Sequence, residues 1–259
     1  MKKVKIMGVV NVTPDSFSDG GQFYQPQLAI NHAYKLLEEG ADIIDIGGQS
    51  TRPGFKEVSP EEEIRRIRPV LEFLCKENIL LSIDTYFPKV ADYALSMGVS
   101  ILNDIRGLDH KGMLDIACKY PHTKLIITHS RNRKEKLTLE KDIQSFYREK
   151  YHLCLSYGIN KKQLYFDPGI GFNKNFSENI EIIKNLDMFR YDEIPLVLGI
   201  SRKRVVGQLI NEENPLKRDQ ISALLSLISA IKGVNIIRTH NVKNFKQFYD
   251  IYESFTCPT

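Results

Sequence analysis

Eight short apolar runs, each followed by an amphipathic stretch, constrain this chain more than any other feature. The runs are VKIMGVV (4–10), ADIIDIG (41–47), ILLSID (79–84), SILND (100–104), KLIITH (124–129), QLYFDPG (163–169), PLVLGIS (195–201) and NIIRTH (235–240). Rich in Val, Ile and Leu, they predict strands buried on both faces and paired in parallel. Helical patterns lie between them: LAINHAYKLLEEG, PEEEIRRIRPVLEFLCKE, PKVADYALSMG, MLDIACKY, LEKDIQSFYREKYHLCLSYG, SENIEIIKNLDMF, KRDQISALLSLISAIKG and VKNFKQFYDIYESF. Several end at or near a glycine (Gly40, Gly98, Gly158, Gly233), as helix C-caps do. Eight units in 259 residues average about 32 residues each, a common βα length. The expected fold is α/β, a (β/α)8 TIM barrel. An open doubly wound sheet is less favoured, because no G-x-G-x-x-G follows the first strand. No linker composition interrupts the pattern, so residues 1–259 read as a single domain.

The strand ends differ in kind from the strand starts. After the eight runs come NVTPDSFSDGG, GGQSTRPG, DTYFP, NDIRG, HSRNR, DPGIGFNK, SRKR and HN. The opposite connections, such as EEGAD, SMGVS and IKGVN, are short turns. In a barrel the C-terminal strand ends share one face, and active sites sit there. The first of these segments takes more than ten residues where a turn needs two to five, as functional loops do.

Composition removes several classes. Net charge is +4, and the charges are interleaved in solvated runs such as EEEIRRIRP and RNRKEKLTLEKD. That excess suits a small anionic substrate and is too weak to argue for nucleic acid. Cys75, Cys118, Cys154 and Cys257 show no C-x-x-C spacing, which argues against structural zinc and for a reduced compartment. The longest apolar helix candidate, ISALLSLISAI (221–231), is about half the length a bilayer requires. The apolar run near the N-terminus is too brief for a signal segment. A cytoplasmic protein without membrane or nucleic-acid partners is expected.

The chemistry-bearing residues fall into two groups. Asp84, Asn103 and Asp167 stand at strand ends, where converging carboxylates and an amide can read a flat heterocycle rich in donors and acceptors. For Asp84 alone a helix-capping role is about as good a reading. Lys203, Arg202, Arg52, Arg238 and His240 form a cationic set beside the glycine-rich IGGQSTRPG, which suits a phosphate or diphosphate. His240 is a better candidate than His129; His32, His110, His122 and His152 read as packing or surface residues. No H-E-x-x-H, Walker A motif or convincing Ser-His-Asp order is present. A reaction that depends on placement and leaving-group stabilisation fits best.

Taken in order, MGVVNVTPDSFSDGG, GADIIDIGGQSTRPG, SIDT, LNDIRG, DPGIGFNK, GISRKR and IRTH resemble the dihydropteroate synthase family from about residue 5 to residue 242. The resemblance implies a barrel, a homodimer, and condensation of a dihydropterin-CH2-diphosphate with para-aminobenzoate to dihydropteroate and diphosphate in folate biosynthesis. It implies an SN1-like displacement, with sulfonamides as competing ligands. By motif match, Asp84, Asn103, Asp167 and Lys203 belong to the pterin pocket. Thr51, Arg52, Phe172 and Ser201 belong to the para-aminobenzoate region. Asn11, Arg52, Arg238 and His240 belong to the diphosphate, and Asn11 is the implied Mg2+ ligand. Asp84, Lys203 and Arg52 carry the catalytic expectation. The long NVTPDSFSDGG segment is then expected to act as a lid that excludes water from the reacting carbon.

Three departures stand out. Gln49 replaces the glutamate common in GGESTRPG, Asn241 replaces the aspartate common after the strand-eight histidine, and THSRNR is more basic than the methionine-containing loop common after strand five. Two alternatives therefore stay open: a catalytically altered pterin-binding paralogue and a pterin-dependent methyltransferase domain.

Overall fold

The computed structural model describes residues 3–13, 25–49, 57–134 and 136–256. Its strands are β1 (Lys5–Asn11), β2 (Ile43–Gly47), β3 (Leu81–Asp84), β4 (Ile101–Asp104), β5 (Lys124–Thr128), β6 (Leu164–Asp167), β7 (Val197–Gly199) and β8 (Ile236–Thr239). Each lies within its expected run, except that β1 extends one residue further, to Asn11. They pair in parallel in the order β6-β5-β4-β3-β2-β1-β8-β7. Between β6 and β7 a parallel bridge joins Phe166 to Leu196, and the Phe166 N–H donates to the Pro195 carbonyl at 3.0 Å. That contact brings the two edge strands together and closes the barrel.

The helices are α1 (Gln25–Glu38), α2 (Pro60–Leu74), α3 (Pro88–Ser96), α4 (Met113–Lys119), α5 (Leu139–Ser156), α6 (Phe176–Lys184), α7 (Arg204–Ile210), α8 (Asp219–Ile231) and α9 (Val242–Thr256). Local chemistry starts them. Ser59 caps α2 by accepting from the Glu62 N–H at 3.2 Å, with Pro60 in the first turn. Asn175 and Glu178 form a reciprocal capping box on α6. The short α7 is not among the expected helices, and it carries Gly207 in its middle. A tertiary contact explains it. A Cβ at Gly207 would lie 2.6 Å from the Arg218 guanidinium, which packs there and donates to the Glu212 and Arg202 carbonyls at 3.0 and 3.1 Å. Glycine admits that close approach.

Period two sorts the strand residues into layers. Met7, Ile43, Ile101, Ile126, Val197 and Ile236 pack together with Tyr165 as the apolar filling of the barrel. Two residues further along, on the same inward side, stand Val9, Asp45, Asn103, Thr128, Asp167, Gly199 and Arg238. The opposite strand faces, including Ile6, Ile44, Ile83, Leu102 and Ile127, join the helices in the larger outer core. The interior therefore changes from apolar to charged within one side-chain layer, toward the C-terminal strand ends. No helix among the described residues is long and apolar enough to cross a membrane.

Candidate active site

The charged layer is organised by Arg238. From the end of β8 its Nε donates to Asp45 Oδ2 at 2.6 Å, and its Nη2 donates to Asp84 Oδ2 at 2.5 Å. Asn103 Nδ2 donates to the same Asp45 oxygen at 3.2 Å. Strands β2, β3, β4 and β8 are thus tied across the barrel by one arginine and two carboxylates. Asp45 Oδ1 and Asp84 Oδ1 are buried and accept no hydrogen bond. Buried acceptors left open in this way suit a ligand that presents N–H groups. Burial raises the Asp84 carboxyl to about 7, opposed first by the Arg238 charge and reinforced by Asp45. The sequence reading missed Asp45. Its signal was present: one acidic residue in the middle of IIDIG, where every neighbour is buried.

Lys203 and Asp167 form the second half of the site. The Lys203 ammonium donates to the Ile170 carbonyl and lies 4.7 Å from the centre of the Phe172 ring. Burial lowers Lys203 to about 8, with the Asp167 and Asp84 carboxylates opposing. Asp167 is raised by burial, with Lys203 the first opposing charge. Its Oδ1 accepts from the Gly169 N–H at 2.7 Å, which folds the DPGIGF turn back over the strand end. Gly169 has φ +74°, and a Cβ there would sit 2.0 Å from the His129 carbonyl oxygen, so glycine is required.

Lys174, also missed, secures this turn from below. Its ammonium donates to the carbonyls of His129, Gly169 and Phe172 at 3.0, 3.1 and 3.1 Å, and lies 3.0 Å from His129 Nδ1. Burial lowers Lys174 to about 7 and His129 to about 3. His129 is therefore neutral and presents Nδ1 as an acceptor, a packing role consistent with ranking it below His240.

Ser201 and His240 meet at the mouth. The His240 N–H donates to Ser201 Oγ at 3.1 Å, and His240 Nδ1 lies 3.0 Å from the same oxygen. Asn11 ends β1, and its Oδ1 would lie 3.8 Å from a Cβ at Gly47. Thr51 and Arg52, with the rest of STRPG, fall outside the described residues. So does 14–24, which holds most of the segment read as a lid. A cleft of about 430 Å3 opens beside Phe172, lined also by Tyr86, Arg106, Ser130, Arg131 and Asn173. That volume is in the range of small-molecule sites.

One expectation from the sequence changes. Arg202 does not join the cationic set at the mouth: with φ +62° it turns to Asp219 and pairs in bidentate fashion at 2.7 and 2.8 Å. The more basic THSRNR loop has its arginines paired. Arg131 pairs with Asp109 and Glu149, and Arg133 pairs with Asp142 and Glu178. Asn241 also has a defined place. Its Nδ2 donates to Asp219 at 3.0 Å, and its Oδ1 accepts from the Asn244 N–H at 3.0 Å, the cap position of α9.

The profile of the pterin binding enzyme family matches residues 7–240, nearly the whole barrel. The dihydropteroate synthase of Streptococcus pyogenes serotype M6 is 41% identical over 242 residues, covering 92% of this chain and 90% of that protein. The chain belongs to the dihydropteroate synthase family. A solved structure of the family member from Clostridium difficile, in the presence of pteroic acid, superposes with a TM-score of 0.94 at 38% identity, covering 99% of this chain and 98% of that one. The Xanthomonas albilineans dihydropteroate synthase with 4-aminobenzoic acid superposes at 0.93 and 33% identity, covering 100% and 95%. Pterin and aryl-amine ligands are thus both seen in close structural relatives of this barrel.

Proposed function

We propose that this chain is a dihydropteroate synthase, joining a dihydropterin-CH2-diphosphate to para-aminobenzoate with release of diphosphate. The observation that carries the reading is the pair of open buried acceptors, Asp45 Oδ1 and Asp84 Oδ1, at the level of Asn103 and Asp167, with the Lys203 charge near Asp84. An amino-pyrimidine edge offers the N–H donors those oxygens lack. Asp84, Asn103, Asp167 and Lys203 hold the pterin ring. Phe172 and Ser201, with Thr51 and Arg52, hold para-aminobenzoate. The side chain of Arg238 uses Nε and Nη2 on the carboxylates, which leaves Nη1 for the diphosphate beside His240, Asn11 and Arg52.

The bond between the exocyclic carbon and the diphosphate oxygen breaks first, and its electron pair leaves on diphosphate. The resulting pterin-methyl cation is stabilised by the Asp84 carboxylate and oriented by Lys203. The amine lone pair then attacks that carbon, and the amine proton passes to solvent. Among the described residues no group of His, Cys, Asp or Glu could hold a metal ion. Asn11 offers one neutral oxygen, so Mg2+ fits here only together with the diphosphate oxygens, as Mg2+ commonly binds. When bound, Mg2+ supplies charge neutralisation to the leaving group.

The coarser features follow the same reading: one barrel domain over 1–259, a cytoplasmic location, and sulfonamides as competitors of para-aminobenzoate. A homodimer is proposed on the exposed apolar stripe of α8, where Leu224, Ile228 and Ile231 are 44%, 38% and 40% exposed on one helical face. Sedimentation of L224E/I228E as a monomer, with a dimeric wild type, supports that arrangement; a monomeric wild type overturns it. The function is tested by incubating the protein with both substrates and, separately, with a methylated folate as methyl donor. Dihydropteroate in the first reaction supports the synthase. Methyl transfer alone would make the chain a methyltransferase domain, and neither product would make it a binding paralogue.

A further inference from the structure

The Gln49 side chain stands where glutamate is common in the family, and its surroundings give the amide a specific task. The Val58 N–H donates to Gln49 Oε1 at 2.8 Å. A backbone N–H can only donate, so the amide orientation is fixed and Nε2 faces the other way. There it donates to the Tyr86 hydroxyl at 2.7 Å. That hydroxyl, its acceptor side occupied, donates to Glu57 Oε2 at 2.8 Å. The same oxygen accepts from Arg106 Nη2 at 3.2 Å, and the Arg106 guanidinium lies 3.7 Å from the Tyr86 ring centre. Gln49 and Tyr86 are buried, whereas the Glu57 and Arg106 side chains are about half exposed.

We infer that Gln49 is a positioning residue: it latches residues 49, 57 and 58 to Tyr86, two positions beyond Asp84, through a hydrogen-bond chain whose polarity demands an amide at position 49. The chain joins both ends of the segment that contains Thr51 and Arg52 to the strand that carries Asp84. Its functional consequence rests on the synthase reading; its structural consequence does not. Every donor in the chain has one acceptor. A carboxylate at position 49 still accepts from Val58, but Tyr86 then faces two carboxylates with one proton. One carboxylate loses its bond and both repel. The Tyr86 hydroxyl is pushed up to about 12, by burial first and then by its bond to Glu57, so it keeps its single proton and can serve only one of the two carboxylates. Reversing the polarity removes the conflict. With glutamine at position 57, its Nε2 donates to the Tyr86 hydroxyl, which donates to the carboxylate at position 49.

Three variants test this. In Q49L, amide exchange at Val58 in the unliganded protein accelerates about tenfold or more. In Q49E, the thermal midpoint falls and kcat/KM for para-aminobenzoate drops about tenfold, while the Kd of a pterin lacking the diphosphate stays within about twofold. In Q49E/E57Q, midpoint and kcat/KM return to within about threefold of wild type or its equivalent in stability. Unchanged Val58 exchange in Q49L overturns the latch, and a double variant no better than Q49E overturns its polarity. A wild-type protein that makes no dihydropteroate sinks the synthase reading alone, because exchange and melting still report on the latch.

Discussion

Arg238→Met removes the strut between Asp45 and Asp84 while keeping most of the side-chain volume. In the native protein the guanidinium bonds both carboxylates, at 2.6 and 2.5 Å, and is only 19% exposed. Taking one partner from a buried ion pair costs about 3–5 kcal/mol, because the remaining charge is left unpaired in a poorly solvated place. Here two carboxylates are left facing each other, and partial solvation through the barrel mouth offsets some of that. We expect about 3–4 kcal/mol, which lowers the melting temperature by about 10 °C in a chain of this size. The loss depends on pH. Asp84 is raised on folding to about 7, so the folded state binds more protons than the unfolded state between the ordinary value near 3.8 and that point. Stability from the neutral form is complete below that window and is lost as pH rises through it. Removing Arg238 takes away the first opposing charge, moves Asp84 higher still, and extends the loss upward. The deficit of the variant relative to wild type is therefore larger at pH 8 than at pH 5.5. Thermal melts at both values, with calorimetric titration of a pterin lacking the diphosphate, are the assay. Pterin binding weakens with stability, because the acceptors that read the ring lose their geometry. A midpoint within about 2 °C of wild type, or a deficit larger at pH 5.5, refutes the strut; loss of diphosphate affinity alone would leave Arg238 as an anion ligand only.

Other perturbations separate ligand chemistry from scaffold. Lys203→Met should lower kcat/KM at least about 100-fold with a small change in melting temperature, since among the described residues its ammonium donates to the Ile170 carbonyl and lies over the Phe172 ring; steady-state kinetics beside a thermal melt decides. In wild type, turnover should fall as pH rises through about 8, where Lys203 loses its proton, and a rate still rising at pH 9 would remove Lys203 from the charged form of the site. Gly169→Ala should cost at least about 2 kcal/mol, because the added methyl meets the His129 carbonyl 2.0 Å away at φ +74°; denaturant titration measures it. Lys174→Met should remove a donor from two carbonyls of the turn, Gly169 and Phe172, and from that of His129 just after β5, and raise the KM for para-aminobenzoate more than the Kd for pterin, because Phe172 moves with the turn.

Much of this molecule was legible in its sequence for a physical reason. Parallel strands buried on both faces need unbroken apolar runs, and NIIRTH or KLIITH can be little else. Strand-end chemistry was legible because a barrel collects those ends on one face, which brought Asp84, Asn103, Asp167, Lys203 and Arg238 together as expected. Pairing was not legible. Nothing in a linear string says that Arg202 turns to Asp219 while Arg238, which continues a buried run, enters the barrel to meet Asp45. Nor does composition show that the arginines of THSRNR are neutralised by Asp109, Glu149, Asp142 and Glu178 from distant elements. The short helix α7 was hidden for the same reason, since nothing near Gly207 in the string shows that Arg218 packs against it and requires glycine there.

The central claim is that a charged layer on an apolar barrel floor holds a dihydropterin while its methylene passes to an aryl amine. The most direct measurement mixes purified protein, Mg2+, the dihydropterin diphosphate and para-aminobenzoate, and follows diphosphate and dihydropteroate together, with Asp84→Asn alongside. The account predicts one diphosphate per dihydropteroate in wild type, and loss of both in a variant that still folds, its cooperative melt checked separately because Asp84 also pairs with Arg238. Diphosphate released without dihydropteroate, or near-normal product from Asp84→Asn, would contradict it.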